Sequence, residues 1–267
     1  MFLYDETDAT GTLAISQASH AWLAWQVAEH WGNRRFARPA PRAEVLAAIF
    51  VHDVGWTEFD VDPGVDDDGR PLTFNRMPAS AHLEIWRASV HRAASFSRYA
   101  ALLVAQHFGA LLESKIADLL DRGDTAGGRA AEAFRAELER LQAGWREALR
   151  QDARYQPFLD GETWQVNASV LEACDRLSVY LCASLGSPFT VTALTPDGGQ
   201  EPIRFECTGG TCWRVRPWPL EGDRLRAQAE GRRLGRKRFE SADELRHALS
   251  HAPVERLSFE LVRPSTG

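Results

Sequence analysis

The sequence predicts a mainly α protein, in which a helical bundle carries a small C-terminal antiparallel α+β appendage. Two observations support this fold class. Apolar residues recur at helical spacing up to about residue 188, and apolar and polar residues alternate beyond it. A Gly-Ser-Pro segment at residues 186–188 separates the two patterns. We therefore expect an all-helical domain over residues 1–188 and the appendage over residues 189–267.

Six helices are predicted in the first domain. The first begins after Ser16, whose side-chain oxygen is suited to accept a backbone N–H of the first turn. The last is apolar nearly all round, which indicates a central position. Pro, Gly and acidic residues predict a long loop over residues 56–80, and loops of this length are usually functional or mobile. The helices are expected over residues 16–31, 43–53, 82–96, 98–120, 129–151 and 163–185.

The appendage shows the period-two alternation of strands. Residues 208–211, Thr-Gly-Gly-Thr, predict a hairpin turn, and a capping box at residues 241–244 opens a short helix that ends at about residue 250. The basic run at residues 232–238 is typical of a solvated turn. Short strands near residues 2–4 and 13–15 are candidates to extend the appendage. Its own strands are expected over residues 189–194, 203–207, 212–216 and 257–262.

The composition excludes several classes of protein. The chain has 267 residues, of which 44% are hydrophobic and 25% charged, as in folded globular proteins. It has no apolar run of the roughly 20 residues that a membrane helix needs, and its start lacks the pattern of a signal peptide. A net charge of −6 makes nucleic acid a poor partner, and four cysteines are too few for a disulfide scaffold. We expect a cytoplasmic protein with no membrane partner.

A His-Asp doublet at positions 52 and 53 is the most informative motif. It ends an apolar helix, and Gly55 follows it and allows the chain to turn away. Histidine offers a neutral nitrogen ligand, and aspartate offers an anionic oxygen that can bridge two ions. The doublet therefore predicts a metal site, and the alternative is a buried ion pair with a hydrogen-bonded histidine.

Other candidate ligands lie on or beside apolar helix faces. His20 is on the inner side of the first helix, and His107 lies among leucines and valines, where an unpaired imidazole would be costly. A bare carboxylate at Asp175 in the central helix would cost more and calls for a cation. His82 begins a helix, and His91 on the same helix is the alternative candidate for this metal ligand. Glu58 and Asp60 follow the doublet and are candidates for an acid or base.

Along the chain the candidate ligands follow one another as His20, His52-Asp53, His82, His107 and Asp175. This order resembles the HD superfamily of metal-dependent phosphohydrolases, whose signature is a His, a His-Asp doublet and a distant Asp. More narrowly, the whole chain is similar to a bacterial family of domain-of-unknown-function proteins. The strings that carry the narrower likeness lie at residues 16–21, 52–56, 82–86 and 171–178.

The superfamily resemblance implies an HD-domain-like helical bundle and a centre of one or two divalent ions, drawn from Mn, Fe, Ni, Mg and Zn. It also implies a division of the ligands between the two ions. The first metal would be held by His20, His52, Asp53 and Asp175, and the second by His82 and His107, with Asp53 bridging.

The expected function is a metal-dependent hydrolase of a phosphoester or nucleotide-like small molecule that uses metal-activated water. Asp53 and Asp60 are the catalytic candidates, and the expected partner is a phosphorylated small molecule. The chain shows no marked basic cluster for a phosphate. Two alternatives stay open: a di-iron HD-fold oxygenase and a non-catalytic metal-containing scaffold or sensor. The sequence leaves the oligomeric state open.

Overall fold

The computed structural model describes residues 1–4 and 11–264. About 52% of the chain is helical and 20% lies in strands, and seven strands form one mixed, curled half-barrel sheet. The prediction of a mainly α, HD-domain-like bundle with a small appendage is therefore wrong, and so is the all-helical character expected of residues 1–188. The physical reason is that strands from both ends of the chain combine into a single large sheet, which forms a second layer beside the helices.

The helices begin and end close to the predicted positions. Ser16 and Ser97 cap their helices as acceptors of backbone N–H groups, and the Ser241 hydroxyl accepts the N–H of Glu244 at 3.2 Å in the predicted capping box. Over residues 1–4 and 11–264 the helices are α1 Gln17–Glu29, α2 Arg42–Val51, α3 Thr57–Val61, α4 Ala79–Phe96, α5 Arg98–Asp121, α6 Thr125–Arg150, α7 Gly161–Cys182 and α8 Ala242–His251.

The sheet has the strand order β1-β2-β6-β7-β5-β4-β3. All neighbours pair antiparallel except β5 and β7, which are parallel, so the expectation of a purely antiparallel appendage is wrong. Through the pairing of β2 with β6, the N-terminal strands join the C-terminal ones. The strands are β1 Phe2–Tyr4, β2 Thr12–Ile15, β3 Phe189–Leu194, β4 Gln200–Gly209, β5 Cys212–Arg216, β6 Arg224–Leu234 and β7 Val254–Val262.

Strand β6 has no counterpart in the prediction, and it takes up the first residues of the basic run that was expected to be a turn. Its buried positions include Ala227, Ala229 and Gly231, which carry little hydrophobicity and so give a weak strand signal. A Cβ at Gly231 would lie 2.6 Å from the Leu13 side chain, so the glycine permits the close approach of β2.

The expected loop over residues 56–80 is partly helical. A 3-10 turn at Val54–Trp56 leads directly into α3. A Cβ at Gly55 would lie 2.2 Å from the backbone oxygen of Ile85, and the Gly55 N–H donates to the Ser89 hydroxyl at 2.9 Å. Glycine is therefore needed because α4 packs directly on the backbone beside the His-Asp doublet.

The helices and the sheet share one hydrophobic core. Strand β6 packs against α1, and β3 packs against α7, so both helices are buried between the sheet and the other helices. Phe50, on the outer side of α2, is 49% exposed. The division of the chain at residue 188 stays a prediction. Within the described residues, no helix has the length and apolar character that crossing a bilayer requires.

Candidate metal centre

His20 lies on the inner face of α1, and its side chain is fully buried. Its Nδ1 lies 2.8 Å from the hydroxyl of Ser178 on α7, and that hydroxyl donates to the backbone carbonyl of Asp175, also at 2.8 Å. A hydroxyl has one proton to donate, so it accepts from His20. The Nδ1 of His20 is therefore the protonated nitrogen, and its Nε2 presents a lone pair.

His52 directly follows α2, with a backbone that is still helical. Its Nδ1 lies 2.7 Å from the backbone carbonyl of Ile49, an oxygen that only accepts. The end of the helix therefore fixes the same tautomer that Ser178 fixes in His20. Two histidines from different helices thus direct their Nε2 atoms toward the same point, and each Nε2 offers a lone pair when it carries no proton.

The two Nε2 atoms lie 3.3 Å apart and meet the carboxylate of Asp175. Its Oδ1 is 3.1 Å from His20 Nε2 and 3.2 Å from His52 Nε2. Two ligands bound to one ion at about 2.1 Å lie about 3.0–3.4 Å apart when they subtend between a right angle and a tetrahedral one. The spacing of this group, which we name the His-His-Asp cluster (His20, His52 and Asp175), fits a divalent metal ion.

Asp53 is the fourth acidic or imidazole group at the cluster. Its Oδ2 lies 3.6 Å from the Nε2 atoms of both His20 and His52. The two histidine side chains are 0% and 1% exposed, whereas those of Asp53 and Asp175 are 12% and 16% exposed. The site is therefore closed on the histidine side and open on the carboxylate side.

The ionisable groups of the cluster shift one another's pKa values. Burial lowers the pKa of His52, but the charge of Asp53 and the hydrogen bond and charge of Asp175 outweigh it and raise that pKa to about 9. Burial raises the pKa of Asp175, yet hydrogen bonds from both histidines hold it well below its usual range. Burial also raises the pKa of Asp53, and there it dominates. The imidazolium of His52 thus supplies the positive charge that the carboxylate needs.

His107, on α5, lies beside the carboxylate of Asp175. Its Nε2 lies 3.5 Å from Asp175 Oδ2, the oxygen on the other side of the carboxylate from the cluster contacts. Burial lowers the pKa of His107 to about 4, so the ring is neutral. A neutral imidazole beside a second carboxylate oxygen is suited to ligate a second ion.

His82 occupies a different environment. Its ring stacks on Trp86 with 5.5 Å between centroids and meets Trp56 edge-on at 5.4 Å. Its Nδ1 is buried and has no hydrogen-bond partner among the described residues, while a backbone hydrogen bond with Phe74 engages the ring. Burial lowers the pKa of His82 to about 4. The structure does not bring His82 into the His-His-Asp cluster.

The other sequence candidates lie elsewhere. The Oδ2 of Asp60 accepts the backbone N–H of Gln17 at 2.6 Å, and its Oδ1 lies 3.1 Å from the amine of Met1. These contacts face a separate cleft and leave Asp60 outside the cluster. Glu58 is exposed and pairs with Arg92, and His91 is exposed and lies 3.4 Å from Glu137.

A cavity of about 370 Å³ opens onto the carboxylate side of the cluster. We name it the aromatic cavity. Four of the six predicted ligands line this cavity: Asp53, His82, His107 and Asp175. Two larger clefts on the protein contain none of the six. The aromatic side chains that line the cavity are Phe2, Trp56, Phe74, Trp86, Phe108 and Tyr180.

Sequence reasoning missed two parts of this site. Ser178 follows Asp175 by one helical turn, and that spacing was the signal that could have placed it on the same face. The aromatic lining comes from β1, from the segment before α4 and from α4, α5 and α7. No local pattern connects those elements.

Comparison with known proteins gives one family match, which spans most of the chain. A family model with the description "Protein of unknown function (DUF3891)" matches residues 2–236. This range includes all six predicted ligands and every strand up to β6. No curated protein and no solved structure matches the chain.

Proposed function

The chain belongs to the DUF3891 family, and we propose that it is a metal-dependent hydrolase of a phosphoester, with a divalent ion bound at the His-His-Asp cluster. One observation carries the proposal: hydrogen bonds at Nδ1 fix both histidines so that their Nε2 lone pairs converge with Asp175 Oδ1 within 3.3 Å of one another. The order of these residues and its resemblance to the HD signature support it.

The arrangement favours a metal over an ion pair for a physical reason. An ion pair needs one imidazole against the carboxylate, whereas here two Nε2 atoms 3.3 Å apart face the same oxygen. A proton on His52 relieves the repulsion between the two nitrogens at neutral pH but joins only one of them to the carboxylate, whereas a divalent ion at the same place would bind both nitrogens and the carboxylate at once. The exposed edges of Asp53 and Asp175 leave access from the cavity for water and substrate.

When bound, the ion would act as a Lewis acid, lowering the pKa of a bound water and polarising a phosphoryl oxygen. His20, His52 and Asp175 would hold it, and Asp53 would complete the ligand set from the open side. Arg176 lines the same cavity and would meet a phosphate oxygen. The aromatic lining would keep bulk water from the reacting centre.

Metal analysis of the purified protein tests the proposal. We expect at least one equivalent of a divalent metal per chain and metal-dependent release of phosphate from an ester such as phenyl phosphate. His52→Ala should lose both, whereas the control His91→Ala, at an exposed histidine outside the site, should keep both.

Other outcomes would contradict the proposal. A protein reconstituted with Mn, Fe, Ni, Mg or Zn that retains no metal would remove its basis. Iron with an oxygen-dependent visible spectrum and no phosphate release would favour the oxygenase. A bound metal without turnover of any ester would favour the scaffold or sensor.

A further inference from the structure

The aromatic cavity has the properties of a specificity pocket. Resting on the proposed function, we propose that the substrate is a small aromatic phosphomonoester, whose planar ring lies against the cavity wall while its single phosphate meets the metal centre and Arg176. The proposal stands on three features of the cavity: its lining, its size and its charge.

The cavity is lined by aromatic side chains that pack on one another. Trp86 stacks on His82 with 5.5 Å between centroids at 19°, and on Phe108 with 5.3 Å at 23°. Phe2 packs on Phe74 with 5.0 Å between centroids. Rings that hold each other in this way have little side-chain entropy left to lose. Phe74, Trp86 and Tyr180 are half-buried, so part of their apolar surface is available to a planar aromatic group.

The size of the cavity limits the ligand to one small molecule. Ligand pockets are typically about 300–1,000 Å³, and this one, at about 370 Å³, lies at the small end. A ring system with one phosphate fits within such a volume, and any larger ligand would have to extend out of it into solvent.

The charge of the cavity limits the ligand to one anionic group. Arg176 is the one Lys or Arg side chain among the described lining residues, and it has no ion-pair partner within the described part of the chain. Glu172, Asp53 and Asp175 add negative charge, of which a bound metal would neutralise the last two. A polyphosphate requires several cations around it, and the cavity does not offer them.

Two polar side-chain atoms of the lining have no hydrogen-bond partner among the described residues: Nδ1 of His82 and Oε1 of Gln17. His82 lines the cavity but is only 8% exposed, and its Nδ1 is buried with no partner among the described residues. Burying such an atom without a partner costs free energy. Because the Nδ1 atom has no exposed surface of its own, a hydroxyl or amino group of the substrate would pair with it only if the imidazole ring turned toward the cavity.

Equilibrium binding of non-reacting probes to the metal-loaded protein tests this inference separately from turnover. The probes are phenylphosphonate and cyclohexylphosphonate, which carry the same charge and differ in the planarity of the ring. Isothermal titration calorimetry should show phenylphosphonate binding at least about tenfold more tightly. Trp86→Leu should reduce this ratio to near one. The control Trp145→Leu, at another half-buried tryptophan that does not line the cavity, should preserve it.

Arg176→Gln should weaken both probes by about tenfold, whereas Arg129→Gln on α6 should not. Equal binding of the two probes, or a ratio that survives Trp86→Leu, would overturn the inference. So would tighter binding of a nucleoside triphosphate than of phenylphosphonate. Selective aryl binding by a protein that retains no metal would refute the proposed hydrolase and keep the aromatic specificity. Phosphate release without aryl preference would do the opposite.

Discussion

The predicted ligands form two groups, which the protein holds in different ways. In the His-His-Asp cluster, each imidazole has an acceptor at Nδ1, the Ser178 hydroxyl for His20 and the Ile49 carbonyl for His52. His82 and His107 lie on the cavity side, and the Nδ1 of His82 has no partner among the described residues. The difference teaches that a hydrogen bond at Nδ1 fixes the orientation of an imidazole and directs its Nε2, and that a buried location alone does not achieve this.

Asp175→Asn should have the largest effect on metal binding. The substitution keeps the shape of the side chain but removes the anionic oxygen that lies 3.1–3.2 Å from both Nε2 atoms. We expect the affinity for the divalent ion to fall by more than about 100-fold. Elemental analysis after dialysis measures it, with Glu162→Gln in the first turn of the same helix as the control. Unchanged metal content in Asp175→Asn would show that the cluster does not bind the ion.

The pH dependence of metal binding should be the next largest effect. Because the neighbouring carboxylates raise the pKa of His52 to about 9, a metal ion that binds near neutral pH must displace a proton from Nε2. Affinity should therefore rise about tenfold per pH unit from about pH 7 and level off near about pH 9. Calorimetry in buffers of different ionisation enthalpy should count about one proton released per ion near pH 7. A flat affinity over this range would contradict the charge assignment.

The same shift has a consequence for the stability of the metal-free protein. A histidine whose folded pKa lies above its unfolded value contributes stability that is fully present below about pH 6.5. That contribution is lost as the pH rises through about 9. The melting temperature of the metal-free protein should therefore fall over this interval. The metal-loaded protein should not show this fall, because the ion replaces the proton.

Ser178→Ala should weaken metal binding by a smaller amount. It removes the acceptor that fixes the tautomer of His20 and leaves the ligands themselves in place. Loss of such a partner typically costs about 10–100-fold in affinity, and we expect the lower end because His52 keeps its own anchor. Ser178→Thr retains the hydroxyl and should restore binding. If the alanine variant matches the wild type, the anchoring of His20 does not matter for the site.

Substitutions at His82 and His107 should have the smallest effect, which is on the number of metal ions bound per chain. A dinuclear centre predicts that His107→Ala lowers the metal content from two ions per chain toward one, because His107 lies beside the second oxygen of Asp175. His82→Ala separates two roles. It lowers the stoichiometry if His82 is a ligand, and it weakens aryl binding at constant metal content if His82 belongs to the cavity wall. A wild-type content of one ion that both variants leave unchanged would contradict the dinuclear prediction.

The sequence by itself determined the helices and the types of side chain at the site. Helical periodicity and N-caps such as Ser16 are local, so they can be read without knowledge of the fold. Polar residues on apolar faces, such as His20 and Asp175, are informative because burying them without a partner is costly. These two signals predicted the helices α1, α2 and α4–α7 closely, as well as the residues that form the His-His-Asp cluster.

Only the tertiary structure decided strand β6, the order and direction of the strands in the sheet, the anchoring of the histidines and the cavity. The pairing of β2 with β6 joins backbones from opposite ends of the chain. Backbone hydrogen bonds do not require particular side chains, so residues such as Ala227 and Gly231 do not reveal this pairing in the sequence. In the same way, the contact of Asp60 with Gln17 and of Ser178 with His20 depends on how separate elements pack. Sequence patterns report what a residue needs, and the packing of distant elements decides which neighbour supplies it.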